Sequence, residues 1–564
     1  MILQQSVLFV IVSYWSFLVN FFNDLLLANV LGHASQHLLV KLHKKLDFAP
    51  LEKLAAGYHH QSGPGSPATH RANKLVRAIL IKYLYDLSLR ETEERLYSDM
   101  VMRWFVGYSL FDPLPDHCTL ERFELWLKEH QHCAVFDEVL RQIRQDHPDE
   151  HRIQMGDTYA MCANAARENL VPLLRHTCEN ILRAGADTLP VPMESALQGY
   201  NWPALFGSLP EKLECKLSEA QRAERLQTVV LAALDLHTRL SRLVNDRPAG
   251  EFPALRTLLC NLSKIISDEV SILDGIVRRL PPKEQGSFRI GSAADPQATY
   301  RVHGPNPEDT RFGYNVQVAV SQNSFIYETR AYTGAVPDQS GVADLVSAQK
   351  ERHDTCPQKL IYDQAAGCGK TRAEVAQVSD GQTQLCAKQP PYEARTQLFA
   401  PYDFMLSEDA LTLTCPNHKQ TRVAYRSQTG DGRSFRFFDV QCWQGTLPQG
   451  KKAPDPNLVK RCPLWDQCRH PDQGPRSMRQ VFISDYREHV LAAQDYNQTE
   501  AFKLDMKLRP RVERIIFELT NYNGARDCRR RGLDNADWQA RMCATAYNLK
   551  HWIRLSVRRS LALA

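Results

Sequence analysis

The spacing of apolar residues changes along the chain, and this change limits the fold class more than any other feature. Residues 35–145 repeat apolar positions at helical spacing, most clearly in Asn73–Leu87. Arg311–Val320 and Ser324–Tyr332 alternate apolar and polar residues instead. A short polar connection at residues 322–323 joins the two, which predicts a β-hairpin. The chain therefore combines helical and sheet-forming parts.

Two further predicted strands end in an acidic residue. His151–Asp157 and Pro357–Asp363 are short apolar stretches, and Asp338–Arg352 before the second has helical spacing. A long helical insert, residues 163–285, separates the first strand from the hairpin, and Ser218–Val244 is its clearest amphipathic stretch. The order of strand, insert, hairpin, helix and strand predicts an α+β fold.

Periodicity and composition together predict a multidomain chain, as its length of 564 residues favours. We expect an apolar leader at 1–34, a helical domain at 35–145, a core at 151–395 containing the insert 163–285, a cysteine-bearing insert at 396–482 and a helical part at 483–564.

The helical domain carries two predicted helix starts. Ser88 and Glu91 have the spacing of a capping box that opens Leu89–Tyr97, and Thr119 is placed to cap Leu120–Glu129. Short helices joined by tight turns are typical of DNA-binding modules. A plain helical bundle has the same periodicity.

The amino terminus and the cysteines bear on location. Residues 1–23 carry no charge, but the apolar run is short for a membrane span and no Lys or Arg precedes Lys41. A membrane segment, a helix buried on a partner and an over-extended start all remain open. The 15 cysteines favour a reducing compartment, so we expect a cytoplasmic, nucleoid-associated protein.

Basic residues concentrate near the carboxyl terminus. Lys503–Arg559 holds 14 Lys and Arg against 6 Asp and Glu, although the whole chain has a net charge of only +5. Such a segment suits a phosphate-binding face, and a solvated helix face is the alternative.

Three acids have the chemistry of a two-metal site. Asp157 and Asp363 each end a predicted strand, and Glu513 lies in a predicted helix. Convergent carboxylates can hold two Mg²⁺ ions, which activate the attacking oxygen and stabilise the leaving one. Each acid taken singly is an ordinary turn or cap residue.

Short motifs in a fixed order surround these acids. They are Asp157-Thr158, Ala163-Asn164-Ala165, Asp295-Pro296, Gly313-Tyr314-Asn315-Val316-Gln317, Arg531-Gly532-Leu533 and Tyr547-Asn548-Leu549-Lys550. Pro115-Asp116-His117-Cys118-Thr119-Leu120-Glu121-Arg122-Phe123 adds a motif in the helical domain. Together, over about residues 40–555, they resemble the cut-and-paste DDE transposases of bacterial insertion sequences.

This resemblance implies a fold, an activity and a set of partners. It implies an RNase-H-like core in which Asp157, Asp363 and Glu513 bind Mg²⁺ or Mn²⁺ and cleave and join DNA. The partners would be double-stranded DNA, both terminal inverted repeats and target, and a second copy in a synaptic complex. The residues expected to bind DNA are Thr119, Arg122, Arg509, Arg529, Arg530 and Arg531.

The chain also departs from the family pattern. The signature Tyr-x2-Arg-x3-Glu-x6-Lys becomes Met506, Arg509, Glu513 and Thr520. Asp363 is followed by Gln-Ala-Ala-Gly where Gly-Tyr is usual. Arg509 lies on the helix face of Glu513, where it binds a phosphate or pairs with the glutamate. An inactive DNA-binding relative, an RNase-H-like nuclease without strand transfer and a membrane-attached protein are the alternatives.

Four cysteines form a second constellation. Cys415-Pro416 and the Cys-x5-Cys pair of Cys462 and Cys468, together with Cys442, resemble the cysteine-bearing insert of this transposase branch. Four thiolates can bind a structural Zn²⁺, with His418 as a substitute ligand. Reduced cysteines in a small β-rich insert are the alternative.

Overall fold

The computed structural model describes most of the chain, in two compact units. The described residues are 25, 28–59, 69–206, 217–248, 250–302, 304, 306, 309–389, 398–428, 430–444, 460–470 and 477–563. Unit 1 comprises residues 1–150, 157–338 and 512–564, and unit 2 comprises residues 151–156 and 339–511. The mixed helix and sheet content confirms the predicted combination of α and β structure.

Unit 1 begins with a helical domain, as predicted. Its helices are α1 Leu38–Lys45, α2 Ala49–Leu54, α3 Ala72–Leu84, α4 Leu89–Ser98, α5 Met100–Val106, α6 His117–Gln131 and α7 Ala134–Asp146. The Ser88–Glu91 capping box that opens α4 is present, with both of its hydrogen bonds. The predicted cap at Thr119 is wrong: α6 starts earlier, because Asp116 accepts a hydrogen bond from the Thr119 amide at 2.7 Å.

The helical insert follows in the same unit. Its helices are α8 Leu170–Thr188, α9 Met193–Ala196, α10 Trp202–Phe206, α11 Glu219–Asn245 and α12 Pro253–Glu269. Leu174, Leu236 and Leu262 are buried in a core of its own. The prediction of helix to the end of the insert is wrong. β2 Val270–Leu273 and β3 Ile276–Arg279 form a hairpin whose turn has positive φ at Asp274 and Gly275.

The remaining strands of unit 1 surround β5. The strands are β1 Ile153–Cys162, whose first four residues belong to unit 2, β4 Thr299–Val302, β5 Thr310–Ser321 and β6 Ile326–Thr333. β4 and β6 pair antiparallel with successive parts of β5, which also neighbours β1. The predicted hairpin is thus confirmed.

A long helix, α20 Leu533–Leu563, packs on β6 and on the helical domain. Asn548 of α20 binds the backbone of Ile326 in both directions: its side-chain oxygen accepts from the amide and its side-chain nitrogen donates to the carbonyl, each at 2.8 Å. Buried backbone groups need hydrogen-bond partners. The asparagine of the Tyr-Asn-Leu-Lys motif supplies both the donor and the acceptor for Ile326.

Unit 2 contains the parallel strands. β7 Lys359–Ile361 pairs in parallel with the start of β1 and with β8 Gln384–Cys386, and the helices are α13 Val342–His353 and α14 Gly369–Val378. The hydrogen-bonded order of the strands is β4-β5-β1-β7-β8, with β6 beside β5. A predicted strand at Pro357–Asp363 is therefore confirmed in its central residues.

The cysteine-bearing part of unit 2 is built from short strands, as predicted. They are β9 Met405–Leu406, β10 Leu413–Thr414, β11 Gln420–Thr421, β12 Ala424–Arg426, β13 Gly432–Phe437, β14 Trp443–Gln444, β15 Lys460–Arg461 and β16 Arg479–Ser484. Short helices α15 Asp439–Cys442 and α16 Trp465–Cys468 lie between them, and Phe404, Phe435 and Phe437 form a small core. α17 Arg487–Asn497, α18 Glu500–Met506 and α19 Pro510–Tyr522 follow.

The predicted apolar leader lies largely outside the described residues. Within the part of the chain that is described, no helix is both long enough and apolar enough to cross a bilayer.

Candidate active site and cysteine centre

The first predicted acid, Asp157, lies within β1, so the prediction that it ends a strand is wrong: β1 continues to Cys162. Its carboxylate is half-buried and accepts a hydrogen bond from the amide of Thr158 at 2.8 Å. In unit 2, the preceding residue Gly156 lies against the ring of Tyr362. The pairing of β1 with β7 ends at Met155 and Ile361, which face each other. Glycine is therefore required immediately before Asp157, because a side chain there would meet a buried ring.

The second predicted acid, Asp363, follows β7 directly. Its carboxylate accepts from the amide of Ala365 at 3.0 Å and caps the 3₁₀ turn Gln364–Gly367. Asp363 is half-buried. One carboxylate oxygen is thus occupied by the backbone, and a carboxylate has further lone pairs for another partner.

The third predicted acid, Glu513, lies in the first turn of α19. The buried face of this helix consists of Val512, Ile515 and Leu519, so Glu513 is on the exposed face. Across the described ranges, no three His, Cys, Asp or Glu side chains form a group that could hold a metal ion. Convergence of the triad stays a prediction, as does the role of half-buried Arg509.

A polar cluster in unit 1 adjoins Asp157 through Thr158. Arg301 donates to the Thr158 hydroxyl at 2.7 Å and approaches the Asp338 carboxylate at 3.4 Å. The side-chain amide of Asn315 donates to Asp338 at 2.7 Å, and that of Gln317 donates to the Asp338 carbonyl at 2.6 Å. The sequence prediction missed Arg301 and Asp338. The alternation in Gly-Tyr-Asn-Val-Gln places Asn315 and Gln317 on one face of β5, but it gives no indication of Arg301 or Asp338.

A second network joins three of the motifs. The buried hydroxyl of Tyr314 donates to the carboxylate of Asp295, with oxygen separations of 2.8 and 2.6 Å. The amide of Gly532 reaches both groups, at 3.1 Å from the Tyr314 hydroxyl and 3.3 Å from the Asp295 carboxylate. Burial raises the pKa of Tyr314, and the hydrogen bond to Asp295 adds to this. Residues as far as 237 positions apart in the chain are thus held together in unit 1.

Two of the arginines expected to bind DNA are engaged within unit 1. Arg529 is ion-paired with Asp86, donates to the Leu87 carbonyl at 3.1 Å and lies over the ring of Tyr83. Arg530 pairs with Glu121 at 3.1 Å. These contacts give both residues a structural role. Their part in DNA binding stays a prediction.

The other residues expected to bind DNA are more accessible. Arg531 is exposed, and its Nε donates to the Asn164 carbonyl at 3.1 Å. Arg122 is exposed on α6, with its guanidinium 3.4 Å from the hydroxyl of half-buried Thr119. Both arginines can therefore be reached by a phosphate.

The four predicted cysteines line one small cavity of unit 2. Cys415, Cys442, Cys462 and Cys468 all contribute to its wall, and its volume of about 20 Å³ suits a species the size of one water molecule. The Cys462 amide donates to the Cys442 carbonyl at 2.8 Å. Burial raises the pKa of the Cys442 and Cys468 thiols. The four cysteines thus share one cavity wall, but among the described residues they do not form a group that could hold a metal ion, and their zinc binding stays a prediction.

The turn after Cys415 is shaped around its sulfur. The amide of Lys419 donates to Cys415 Sγ at 3.3 Å, and the His418 amide donates to the Cys415 carbonyl at 2.8 Å. Positive φ at His418 allows this tight turn. Arg469 and Asn417 each place a nitrogen 3.3 Å from a sulfur, of Cys442 and Cys462 respectively. Such donors stabilise thiolates, which are the metal-binding form of cysteine.

Comparison with known families assigns both ends of the chain. Residues 31–124 match a family model described as a transposase domain (DUF772), and residues 455–553 match one described as a transposase DDE domain. No curated protein and no solved structure matches the chain. Both matching models describe transposase domains, the second of the DDE type, so the matches indicate transposase function and are consistent with a DDE transposase of an insertion sequence.

Proposed function

We propose that Asp157, Asp363 and Glu513 are the catalytic carboxylates of this transposase and that they cleave and join DNA with Mg²⁺ or Mn²⁺. The observation that carries the proposal is the pairing of β1 with β7. Met155 faces Ile361, and each aspartate follows two residues later in the sequence. Neighbouring strands lie about 4.8 Å apart, so the same register continued by two residues favours a shared site.

The strand order supports an RNase-H-like core. A hairpin lies beside β1 on one side, and two parallel strands, β7 and β8, follow on the other. β1 continues past Asp157 to Cys162, and β7 ends two residues before Asp363. Each acid follows two residues after the last paired residue of its strand, which suits the two acids to a common ion.

The proposed chemistry needs no nucleophile from the protein. The three carboxylates would hold the metal ions, which activate the attacking oxygen and stabilise the leaving oxygen when bound. Water attacks a phosphorus atom at the end of the element and the bond to the 3′ oxygen breaks. The freed 3′ hydroxyl then attacks a phosphodiester of the target, whose own 3′ oxygen leaves. The number of phosphodiester bonds is unchanged in this second step.

We also propose the partners that this chemistry requires. The substrates are double-stranded DNA, first the terminal inverted repeats and then the target. Joining two ends to one target requires both ends in one complex, which favours self-association of the chain. We further propose that Cys415, Cys442, Cys462 and Cys468 bind a structural Zn²⁺, because a part with so small a core gains much of its stability from such a centre.

Isosteric variants test the catalytic assignment. Asp157→Asn, Asp363→Asn and Glu513→Gln keep the shape of each side chain but remove the charge that holds a cation. We expect each to lose at least about 100-fold in cleavage of an end-bearing duplex, as removal of a key electrostatic group does, while binding of the same duplex changes little. Glu408→Gln is a matched control, since Glu408 is an exposed acid of unit 2 outside the proposed site. If one of these variants cleaves the duplex at the wild-type rate, the catalytic role of the substituted residue is refuted.

An inactive DNA-binding relative is the second candidate. Thr520 stands where the family signature has Lys, and its hydroxyl donates to the Ile516 carbonyl of its own helix at 2.9 Å. Threonine carries no charge, so this helix lacks the positive charge that the family's lysine would supply. Wild-type protein that binds end DNA in the presence of Mg²⁺ or Mn²⁺ but does not cut it would favour this candidate.

A further inference from the structure

Two adjoining grooves lie on the helical insert of unit 1. The first, of about 880 Å³, is formed by the amino-terminal parts of α8 and α11 and by strand β3. The second, of about 750 Å³, continues along α8 toward residues 292–294. Both are lined by Asn169 and Pro172, which shows that they adjoin. They lie within the insert and its border, so they involve none of the proposed catalytic acids.

Arginine dominates the charge of these grooves. The lining arginines are Arg167, Arg183, Arg222, Arg225, Arg278, Arg279 and Arg531. The lining acids are Glu168, Glu179 and Glu219. Seven guanidinium groups against three carboxylates leave an excess of four positive charges. This excess is concentrated, because the whole chain carries only +5.

Some of the charged side chains that line the grooves already have partners within the protein. Glu168 is hydrogen-bonded to His176 and accepts from the Ala293 amide at 2.6 Å. Arg279 is paired with Glu269 at 3.2 Å, although its side chain remains 56% exposed. Arg183 and Arg278 are both exposed. The grooves thus present guanidinium groups to solvent, and guanidinium is the side chain best matched to phosphate.

The β2–β3 hairpin forms one wall of the first groove. Val277, Arg278 and Arg279 line it, and the tip beyond them exposes two apolar side chains that flank the turn residues Asp274 and Gly275. Leu273 is 72% exposed and Ile276 is 49% exposed. Exposed apolar side chains beside arginines are a combination used by proteins that insert side chains into the minor groove of DNA.

We infer that the two grooves and this hairpin form a DNA-binding surface on the insert, with duplex DNA as its ligand. The inference rests on the assigned transposase function, which supplies the polyanion. The arginines of the grooves contact the phosphates, and Leu273 contacts the sugars and base edges. No residue of the amino-terminal helical domain lines the grooves, so the insert gives the protein a second DNA-binding surface.

Salt dependence of binding tests the grooves. The full-length protein is titrated with a 40-base-pair duplex by fluorescence anisotropy at several salt concentrations. Arg183→Ala combined with Arg278→Ala should weaken binding about tenfold at low salt and lower the salt slope by about 2, since each lost phosphate contact removes about 0.9 from that slope. Arg242→Ala combined with Arg247→Ala is the matched control, because these exposed arginines of the same insert line neither groove.

A variant of the hairpin tip tests its apolar contact separately. Leu273→Ser should weaken binding by about fivefold at an unchanged salt slope, because an apolar contact releases no counterions. Leu231→Ser is its control, as Leu231 is exposed on α11 away from both grooves. A change in the mass of the free protein with unchanged DNA affinity would show that the tip binds a second copy, and would overturn its part in the inference.

Failure of the inference can be told from failure of the function. If wild-type protein binds the duplex and the groove variant binds it with equal affinity and slope, the grooves are not a DNA surface and the function stands. If the wild-type protein binds no duplex at any salt concentration, the proposed function fails as well.

Discussion

Gly156 lies beneath the aromatic ring of Tyr362, and a Cβ atom at position 156 would overlap that ring. The two residues immediately precede Asp157 and Asp363. Tyr362 is fully buried, so its ring has little freedom to move aside. The close approach of these two strands therefore depends on the absence of a side chain at position 156.

Gly156→Ala is expected to disturb both stability and cleavage. The added methyl group forces Tyr362 or the strand to shift, which costs about 1–3 kcal/mol in a packed core. A shift of about 1 Å between the two aspartates would lower the cleavage rate by about 100-fold. Urea unfolding and cleavage of an end-bearing duplex measure the two effects. Gly250→Ala should leave both unchanged, because nothing lies within 4 Å of a Cβ there.

Tyr314→Phe is expected to destabilise unit 1. The change removes a hydroxyl that donates a hydrogen bond to buried Asp295 and accepts one from the Gly532 amide. A buried carboxylate that loses its donor costs about 1–3 kcal/mol, and the free energy of unfolding should fall by that amount. Tyr97→Phe, at an exposed tyrosine of the same unit, is the control. Equal stability of Tyr314→Phe and wild type would show that the network is not a structural element.

Two neighbouring arginines are expected to behave differently. Arg529→Ala loses the Asp86 ion pair and the contact with Tyr83, and should lower the free energy of unfolding by about 1–3 kcal/mol. Arg531→Ala should stay within about 0.5 kcal/mol of wild type, as exposed substitutions do, and weaken DNA binding instead. Thermal unfolding and anisotropy separate the two effects. Joint removal of Arg529, Arg530 and Arg531 would mix them, so single variants are needed.

Local signals predicted parts of this fold correctly, and distant contacts could not be predicted. The Ser88–Glu91 capping box depends on residues three positions apart, and it is present. The hairpin at Val270–Arg279 carried a local signal, Asp274-Gly275, but the helical periodicity before it was extended too far. The Asp295–Tyr314–Gly532 network joins residues that are far apart in the chain, and no periodicity records such a contact.

The candidate site shows the same limit. Both aspartates were proposed because each was predicted to end a strand; Asp363 does follow β7, whereas Asp157 lies within β1, and their shared site stays a prediction. Arg301 and Asp338 could not be identified, since a lone arginine and a lone aspartate have no pattern until Thr158 and Asn315 are seen beside them. Glu513 was proposed as the third acid only through the Tyr-x2-Arg-x3-Glu-x6-Lys signature, of which this chain keeps the Arg and the Glu.

Unit 1 should lose stability in acid through Asp537. Burial would raise the pKa of Asp537, but hydrogen bonds from His132, Arg541 and the Ala331 amide outweigh it and lower the pKa to about 2. An unfolded aspartate titrates near 3.9. The carboxylate thus contributes about 2.5 kcal/mol above pH 4, and this contribution is lost as the pH falls from about 4 to 2.

The measurement is urea unfolding at a series of pH values. Asp537→Asn should be less stable at pH 7 and show a shallower loss of stability below pH 4 than the wild type. A variant with the same acid dependence as wild type would show that other carboxylates control it.

The cysteine centre predicts a defined zinc content. Purified protein should contain one Zn²⁺ per chain, and Cys442→Ser should contain none, because three thiolates and an arginine neighbour cannot replace the fourth ligand. Metal analysis of Cys260→Ser, an exposed cysteine of unit 1, is the control and should match wild type. A chelator should lower the melting temperature of wild type but not that of Cys442→Ser. A metal-free wild type would refute the zinc assignment.

The two ends of the helical insert are tied to each other. The amide of Glu168 donates to the Gly291 carbonyl at 2.9 Å, and the side-chain amide of Asn180 donates to the Ala293 carbonyl at 3.2 Å. The insert also has its own core, so it can fold before β5 is synthesised and brought to β1. Closing a loop costs entropy that grows with the logarithm of its length. A folded insert with joined ends shortens the effective loop, and the central strands can then meet on a polypeptide that is still leaving the ribosome.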